Sequence, residues 1–381
     1  MGDKMIIKNA KVLTPEFNLE EKEIYIKEDK FSSEKNGESL DLKNCIIFPG
    51  LIDTHIHGAM GFWSDTANSE EFSKMSDLLA TKGTTSFVPT TMTASIDNLI
   101  KTLKRIKEAS KIVKGAKIEG VHLEGPFISV EKKGAQDERF IINASDENIN
   151  ALLNSDGGDL IKIITVAPEI EGALSLAEKL SAKNIVVSAG HTNANEEEME
   201  KGINAGFTRM THTFNAMAPF SHRSPNAIGK ALTTNGVVNE IICDFLHVSE
   251  TAVKLLFGIK NIDDICIISD AIALSGLKDG EYDNFNNSGI YYKKENGIIR
   301  LKDGTIAGGS FSMLDGVKNC LNANIDFKKV LAAATKNPAK SLGIYDKVGS
   351  IEPNKKADFI VLNENYDLLY TFINGKMVYK A

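Results

Sequence analysis

Residues 49–58 read Pro-Gly-Leu-Ile-Asp-Thr-His-Ile-His-Gly, an apolar run that ends in two histidines. The apolar part predicts a buried strand. In an extended strand, residues two apart point to the same side, so the imidazoles of His55 and His57 face the same way. Neutral imidazole is a good ligand for Zn²⁺ or Fe²⁺. A His-x-His pair also arises by chance, so its meaning depends on the rest of the fold.

Similar apolar, β-branched runs alternate with helix-period segments beyond this strand. The periodicity predicts helices over residues 69–82, 97–114 and 173–182, among others. Strands are predicted near residues 50–55, 84–89, 118–123, 161–166, 184–189, 208–212, 239–244 and 264–269. Eight strand–helix units predict an α/β fold, a (β/α)₈ TIM barrel, and strands buried on both faces explain the unbroken apolar runs.

The two ends of the chain have a different pattern of short strands. We predict them over residues 5–7, 11–13, 23–26, 45–48, 357–362, 368–373 and 376–379. Asn374-Gly375 is typical of a tight hairpin turn. Neither end is long enough for a core of its own. We therefore expect residues 1–48 and 346–381 to form one small β-sandwich domain, and residues 49–345 to form the barrel.

Composition excludes several classes of function. The net charge is −7, so there is no basic footprint for nucleic acid. Four scattered cysteines without a Cys-x-x-Cys pair are typical of reduced thiols in a cytoplasmic protein. The first residues lack the apolar core of a signal peptide, and no apolar run approaches the ~18 residues of a membrane span. We expect a cytoplasmic protein with no membrane partner.

Polar side chains gather at the predicted strand ends, where the catalytic groups of a barrel lie. Six of the seven histidines lie at or just after such ends, and His222 lies in the loop after the sixth strand. The third strand ends in Glu124, an inward carboxylate that could bridge metal ions, although a lone glutamate is more often a solvated loop charge. His122 lies one layer deeper, and we expect it to pack or to support a ligand.

Three more polar residues follow the later strands. His191 and His212 end the fifth and sixth strands, and either alone could be a core histidine. On neighbouring strand ends facing Glu124, the two together indicate a metal site. Asp270 ends the eighth strand, where it could cap a helix or, beside an activated water, serve as general base and acid.

Two loops could bind phosphate. Arg223 offers bidentate contacts to oxygen, and the segment 305–310 is rich in exposed backbone N–H groups, although a Gly-Gly turn needs no ligand. The chain has no Walker pattern, no strand-associated Gly-x-Gly-x-x-Gly and no Gly-x-Ser-x-Gly nucleophile elbow.

Seven motifs taken together resemble one family. They are His55-Ile56-His57-Gly58, residues 122–127, 190–194, 211–217, Ser269-Asp270-Ala271, residues 307–310 and Asn337-Pro338-Ala339. The set resembles the amidohydrolase superfamily and, more narrowly, its N-acetylglucosamine-6-phosphate deacetylases, over essentially the whole chain. Relatives of the dihydroorotase type use a carboxylated lysine after the fourth strand. This chain has none there.

The resemblance implies a divalent transition metal, with Zn²⁺ or Fe²⁺ first and Co²⁺, Mn²⁺ or Ni²⁺ as alternatives. Glu124, His191 and His212 would hold the principal ion, and Asp270 would be the catalytic base and then acid. Some members have Gln and Asn in place of the strand-1 histidines and carry one metal. Because this chain keeps His55 and His57, we expect a second metal position.

The resemblance also implies a set of substrate contacts. They are Ala135, Gln136, Asn215, Ala216, Arg223, His247, Ile306, Ala307 and Gly308. In this family the arginine that matches Arg223 reaches the phosphate from the neighbouring subunit, which implies a homodimer. Some members have His where this chain has Gln136, so the role of Gln136 in holding the sugar or the acyl group stays open.

The activity implied is hydrolysis of N-acetylglucosamine 6-phosphate to glucosamine 6-phosphate and acetate, in amino-sugar breakdown. One alternative is a deacetylase for another N-acetylhexosamine phosphate, such as the galacto epimer, because the two differ by one hydroxyl. The other is a scaffold of the same fold without catalysis. Such a scaffold would be expected to lose ligands, whereas all the candidate ligands are present.

Overall fold

The computed structural model describes residues 4–283, 285 and 290–381. The first strands are β1 (Lys4–Lys8), β2 (Lys11–Leu13), β3 (Leu19–Glu21), β4 (Ile24–Lys27), β5 (Lys30–Ser32), β6 (Glu38–Asp41) and β7 (Ile46–Pro49). The middle contains β8 (Leu51–Ile56), β9 (Gly58–Ala59), β10 (Phe62–Trp63), β11 (Thr84–Thr91), β12 (Lys117–Ile118), β13 (Val121–Glu124), β14 (Ile161–Val166), β15 (Val186–Ala189), β16 (Phe207–Met210), β17 (Val238–Ile242) and β18 (Ile265–Ile268). The last strands are β19 (Gly280–Tyr282), β20 (Tyr292–Glu295), β21 (Ile298–Leu301), β22 (Phe359–Leu362), β23 (Leu368–Ile373) and β24 (Lys376–Lys380).

Helices alternate with the middle strands and continue after them. They are α1 (Ser69–Ala80), α2 (Ile96–Ser110), α3 (Asp146–Leu153), α4 (Ala173–Ser181), α5 (Glu196–Ala205), α6 (Asn226–Thr233), α7 (Glu250–Ile259), α8 (Met313–Asn322), α9 (Phe327–Ala334) and α10 (Lys336–Ser341). In the described part of the chain, every helix is too short or too polar to cross a membrane.

The parallel strands form the predicted barrel. Their order is β8, β11, β13, β14, β15, β16, β17 and β18. A parallel bridge between Ile56 and Ala271 brings the last strand back to the first, and Asp270 N–H donates to the carbonyl of His55 at 3.0 Å. The apolar runs are buried on both faces, which confirms the predicted fold. The carboxyl ends of these strands therefore meet at one rim.

The chain termini supply two further sheets, as predicted. One sheet has the order β24-β23-β22-β7-β2-β3, and the other has the order β5-β4-β1-β6. A separate apolar core that includes Ile7, Ile47 and Phe359 contains residues from both sheets. Asn374 and Gly375 both have positive φ, the conformation that a tight hairpin turn between β23 and β24 needs. The domain boundaries at residues 48/49 and 345/346 stay a prediction.

Element ends differ from the sequence prediction where the chain must turn. Helix α2 ends at Ser110 rather than at residue 114, because the following residues return to the barrel. There Ala116 N–H donates to the Ser76 carbonyl, and Gly115 lies so close to Ser76 that a Cβ would collide with it. The strand predicted over residues 118–123 is divided into β12 and β13.

The antiparallel sheet β19-β20-β21 was not predicted from the sequence. It follows the last barrel strand and shares a small apolar core with Ile272 and Ala307. Tyr292 on β20 is buried in that core and lies beside Trp63, with ring centroids 6.1 Å apart. The sheet thus forms one wall above the rim of the barrel.

Candidate metal centre and active site

A cavity of about 330 Å³ opens at the carboxyl ends of the barrel strands. Its polar wall contains His57, Glu124, His191, His212 and Asp270. Trp63, Met92, Ile272 and Tyr292 form an apolar wall that the sequence did not indicate. The pairing of a few converging polar groups with an apolar wall is typical of a small-molecule site.

Glu124, His191 and His212 form one compact cluster of buried groups. Glu124 Oε1 lies 3.0 Å from His212 Nε2 and 3.3 Å from His191 Nε2, and the two imidazole nitrogens are 3.2 Å apart. The backbone carbonyl of Lys132 accepts from His191 Nδ1 at 2.9 Å, which leaves the His191 Nε2 lone pair for a ligand role. All three residues lie at or just beyond the ends of β13, β15 and β16.

A second cluster joins His55 and His57, at the end of β8, to Asp270. His55 Nε2 and His57 Nε2 are 3.2 Å apart, and each lies 3.4 Å from Asp270 Oδ1. Glu124 touches this cluster too, with Oε1 at 3.4 Å from His55 Nε2 and Oε2 at 3.3 Å from His57 Nε2. Glu124 therefore lies between the two clusters, the position of a bridging carboxylate.

The donor atoms have the chemistry and the spacing of a metal site. A tetrahedral Zn²⁺ holds N and O ligands at about 2.0–2.2 Å, which places neighbouring ligand atoms roughly 3.3 Å apart. The measured separations within both clusters lie near this value. Nδ1 of His57 and of His212 is buried and has no hydrogen-bond partner among the described residues, so their Nε2 atoms are their only engaged nitrogens. The residues present therefore fit one or two divalent ions.

Electrostatics also favour a cation at this point. Burial alone would raise the pKa of Glu124, but the His191 and His55 imidazoles hold it well below its ordinary value. Burial opposes a charge on His57, yet hydrogen bonds with Asp270 and Glu124 raise its pKa to about 10. Burial likewise opposes ionised Asp270, but the neighbouring imidazoles lower its pKa. Two buried carboxylates thus demand compensating positive charge, which a metal ion would supply.

Three of the clustered residues have strained backbones. His191, His212 and Asp270 have φ of 45°, 28° and 47°, in the left-handed region that non-glycine residues rarely adopt. Each such residue costs on the order of 1–3 kcal/mol and persists only where its surroundings hold it. Strain shared by these strand-end residues is typical of a functional site.

Gln136 contacts a candidate ligand rather than facing only the cavity. Its side-chain oxygen accepts from Thr93 N–H at 2.7 Å, which fixes the orientation of the amide. The amide nitrogen then donates to Glu124 Oε2. Gln136 is buried, lines the cavity and orients the glutamate between the two clusters.

His247 extends the polar wall away from the metal cluster. Its Nδ1 lies 2.6 Å from Asp244 Oδ2. Burial would lower the pKa of His247, but the Asp244 carboxylate raises it overall. His247 Nε2 is buried at the cavity and, within the described part of the chain, has no hydrogen-bond partner. It lies near the Gly308 backbone at the cavity, where it could donate to a bound oxygen.

Most of the predicted substrate contacts line the same cavity. These are Ala135, Gln136, Asn215, Ala216, His247, Ile306, Ala307 and Gly308. Arg223 is the exception, because its side chain is exposed and it is not among the lining residues. No hydrogen bond or ion pair joins it to another described residue. Within this chain, Arg223 is not brought to the site.

A layer of buried polar groups lies behind the clusters. Glu240 Oε2 lies 3.0 Å from His55 Nδ1 and accepts from the His212 backbone N–H at 3.1 Å. Arg209 Nε donates to Glu240 Oε1 at 2.7 Å, and both side chains are fully buried. His122 is buried in the same layer, with Nε2 2.7 Å from Thr165 Oγ1 and its ring packed against that of His55, with centroids 4.6 Å apart. Glu240 and Arg209 were not predicted as site residues from the sequence, although a charge inside a predicted strand was the available signal.

Comparisons with known proteins agree with this geometry. The amidohydrolase family model matches residues 46–378. An N-acetylglucosamine-6-phosphate deacetylase of Bacillus subtilis is 32% identical, with 100% of this chain and 98% of that protein covered. The deacetylase of Caenorhabditis elegans is 32% identical over 90% of this chain and 84% of its own length.

Solved structures agree as well. The N-acetylglucosamine-6-phosphate deacetylase of Thermotoga maritima is 31% identical, with a TM-score of 0.87 over 99% of this chain and 100% of that one. The enzyme of Pasteurella multocida is 28% identical, with a TM-score of 0.90 over 98% and 99%. The chain belongs to the amidohydrolase family and, within it, to the N-acetylglucosamine-6-phosphate deacetylases.

Proposed function

We propose that the protein hydrolyses the acetamide of N-acetylglucosamine 6-phosphate to glucosamine 6-phosphate and acetate, in amino-sugar breakdown. The observation that carries the proposal is the convergence of Glu124, His191, His212 and Asp270 on one cavity. Full-length similarity to deacetylases supports the choice of substrate. A cytoplasmic location and a homodimer stay predictions.

Glu124, His191 and His212 would hold the principal divalent ion, and His55 and His57 would help to hold a second. When bound, such an ion lowers the pKa of its water from ~16 towards ~7 and polarises a carbonyl oxygen. The histidines are suited to this role because imidazole binds Zn²⁺ and Fe²⁺ well. Which of these ions is used depends on geometry and supply more than on ligand type.

Asp270 would move the proton. Its carboxylate lies at the edge of the cavity and is held in the ionised form by the surrounding imidazoles. An ionised carboxylate can take a proton from the attacking water. It can then deliver that proton to the departing nitrogen, which leaves as a neutral amine rather than as an anion.

The remaining cavity residues would place the sugar. His247 Nε2 would donate to an oxygen of the substrate, and Ile306 and Gly308 line the same cavity, whereas the Ala307 N–H already donates to the Ile299 carbonyl. Arg223 would reach the phosphate bound by a neighbouring protomer, since its side chain is exposed and makes no hydrogen bond or ion pair with another described residue. A guanidinium group can donate two parallel hydrogen bonds to two oxygens of one phosphate, which suits that role.

The test is a deacetylation assay with metal content measured on the same sample. We expect N-acetylglucosamine 6-phosphate to be turned over faster than its galacto epimer, and the unphosphorylated sugar to react poorly. A preference for the galacto epimer would replace the substrate. Absence of both turnover and bound transition metal would favour the scaffold alternative.

A further inference from the structure

His55 and His57, at the end of β8, differ in the contacts that their Nδ1 atoms make. His57 Nδ1 has no hydrogen-bond partner among the described residues, whereas His55 Nδ1 lies 3.0 Å from Glu240 Oε2. The principal cluster shows a similar arrangement, because His191 Nδ1 lies 2.9 Å from the Lys132 carbonyl. One imidazole in each cluster therefore has its ring orientation fixed by an oxygen behind it.

The Glu240 carboxylate is itself held on both oxygens. Oε1 accepts from Arg209 Nε at 2.7 Å, and Oε2 accepts from the His212 backbone N–H at 3.1 Å. Arg209 is anchored in turn, because Nη1 donates to Ser341 Oγ at 2.6 Å and Nη2 donates to Thr54 Oγ1. A carboxylate facing these donors can only accept from His55. The proton of the neutral His55 ring must then lie on Nδ1.

In this tautomer the lone pair of His55 Nε2 faces the cluster formed by His57, Glu124 and Asp270. Nε2 lies 3.2 Å from His57 Nε2 and 3.4 Å from both Glu124 Oε1 and Asp270 Oδ1. These are the atoms around the second metal position. Carboxylates behind ligating histidines fix ring orientation in this way, and their loss typically weakens metal binding by about 10- to 100-fold.

We infer that Glu240, held by Arg209, is a positioning residue that sets the tautomer of His55. It thereby prepares His55 and His57 to bind a second divalent ion. The inference rests on the proposed function, because it concerns the metal centre of that reaction. Glu240 contacts neither the cavity nor the reacting atoms, and it acts through His55. It also joins the two clusters, since the same oxygen holds the backbone of His212.

The informative variant is Glu240→Gln. Arg209 would hold the amide oxygen, so the amide nitrogen would face His55 Nδ1 and donate to it. The ring proton would then move to Nε2 and point into the metal position. Titration of metal-free protein with Zn²⁺, with bound ions counted, should show the second ion bound about 10- to 100-fold more weakly. The first ion should also be bound more weakly, but by a smaller factor, because the amide nitrogen can no longer accept from the His212 backbone N–H whereas Glu124 and His191 keep their contacts.

A matched control and a double-mutant cycle separate positioning from general damage. Glu119→Gln changes a partly buried carboxylate just before β13, at the opposite end of the barrel, and should leave both ions in place. In a His55→Asn background, Glu240→Gln should add little further loss of the second ion. An unchanged second-ion affinity in Glu240→Gln would overturn the inference, as would a full additional loss in the absence of His55.

The tautomer can be read directly in the unmodified chain. Nitrogen-15 NMR of histidine-labelled, metal-free protein should show the neutral His55 ring protonated on Nδ1, and a neutral wild-type ring protonated on Nε2 alone would overturn the inference even if Glu240→Gln failed to fold. These readouts use Zn²⁺ and NMR without substrate. Failure of the proposed deacetylase activity would therefore be seen separately, as absent turnover by a protein whose metal binding is intact.

Discussion

Single residues decide what the cavity can do. Asp270 lies 3.4 Å from the Nε2 atoms of His55 and His57, and the Gln136 amide hydrogen-bonds with Thr93 and Glu124. Both were named from the sequence, but their contacts were not foreseeable. Gln136 was named as a candidate substrate contact with its role at the sugar or acyl group left open, and the structure adds these two hydrogen bonds. Glu240, inside the apolar strand β17, was not predicted as a site residue because its partners, His55 and Arg209, are distant in the chain. Strand parity indicates which side a residue faces but not what it meets there.

Asp270→Asn tests the proton-transfer role. The amide keeps the shape of the side chain but cannot take a proton from water, so kcat should fall by about 10²- to 10⁴-fold while the fold remains. Steady-state kinetics and metal analysis on the same preparation check this. Asp97→Asn, an exposed change on α2, should keep wild-type kcat. Near-wild-type turnover by Asp270→Asn would show that another group moves the proton.

Gln136→Leu separates support of Glu124 from contact with substrate. The change removes an acceptor from Thr93 N–H and a donor to Glu124 Oε2, both buried. Leaving such groups unpaired costs about 1–3 kcal/mol, so the free energy of unfolding should fall by that amount. Denaturant unfolding measures it. A raised KM with unchanged stability would return Gln136 to the role of a substrate contact alone.

At the scale of elements, the barrel strands were predictable and the sheet above them was not. Strands buried on both faces must be apolar throughout, so β14 was predicted at its observed bounds, Ile161–Val166. The sheet β19-β20-β21 is half exposed and rich in charge, as in the Tyr-Lys-Lys-Glu sequence of β20. Its pattern alternates over too few residues to stand out from a loop. The sheet nevertheless supplies Tyr292 to the cavity.

Tyr292→Ala tests whether this sheet matters for function. Tyr292 is buried against Trp63 and lines the cavity, so its loss should open the apolar wall and destabilise the fold by about 3 kcal/mol. We expect kcat/KM to fall at least about tenfold. Tyr292→Phe keeps the ring and should behave like the wild type, because burial raises the pKa of the hydroxyl to about 12 and it stays neutral. An unchanged kcat/KM in Tyr292→Ala would exclude this wall from substrate binding.

At the scale of the whole molecule, the terminal β domain is complete within one chain, whereas one predicted substrate contact does not reach the cavity of its own chain. The terminal strands complete a sandwich within one chain, which the sequence indicated because neither end could bury a core alone. The rim is different, since Arg223 is exposed and is not among the residues that line the cavity of its own chain. Sequence spacing cannot distinguish a residue that acts in its own chain from one that serves a neighbour. A second copy of the chain would resolve the difference.

Complementation between inactive chains tests this directly. Arg223→Ala keeps Asp270 but lacks the arginine, whereas Asp270→Asn keeps the arginine but lacks the base. If Arg223 serves the neighbouring protomer of a dimer, a mixed dimer has one complete site. Random pairing during co-expression should then restore roughly a quarter of wild-type activity, because half the dimers are mixed and each has one of two sites. Activity no greater than the sum of the two parents, with mixed dimers verified by tag-based purification, would place Arg223 in its own site or outside catalysis.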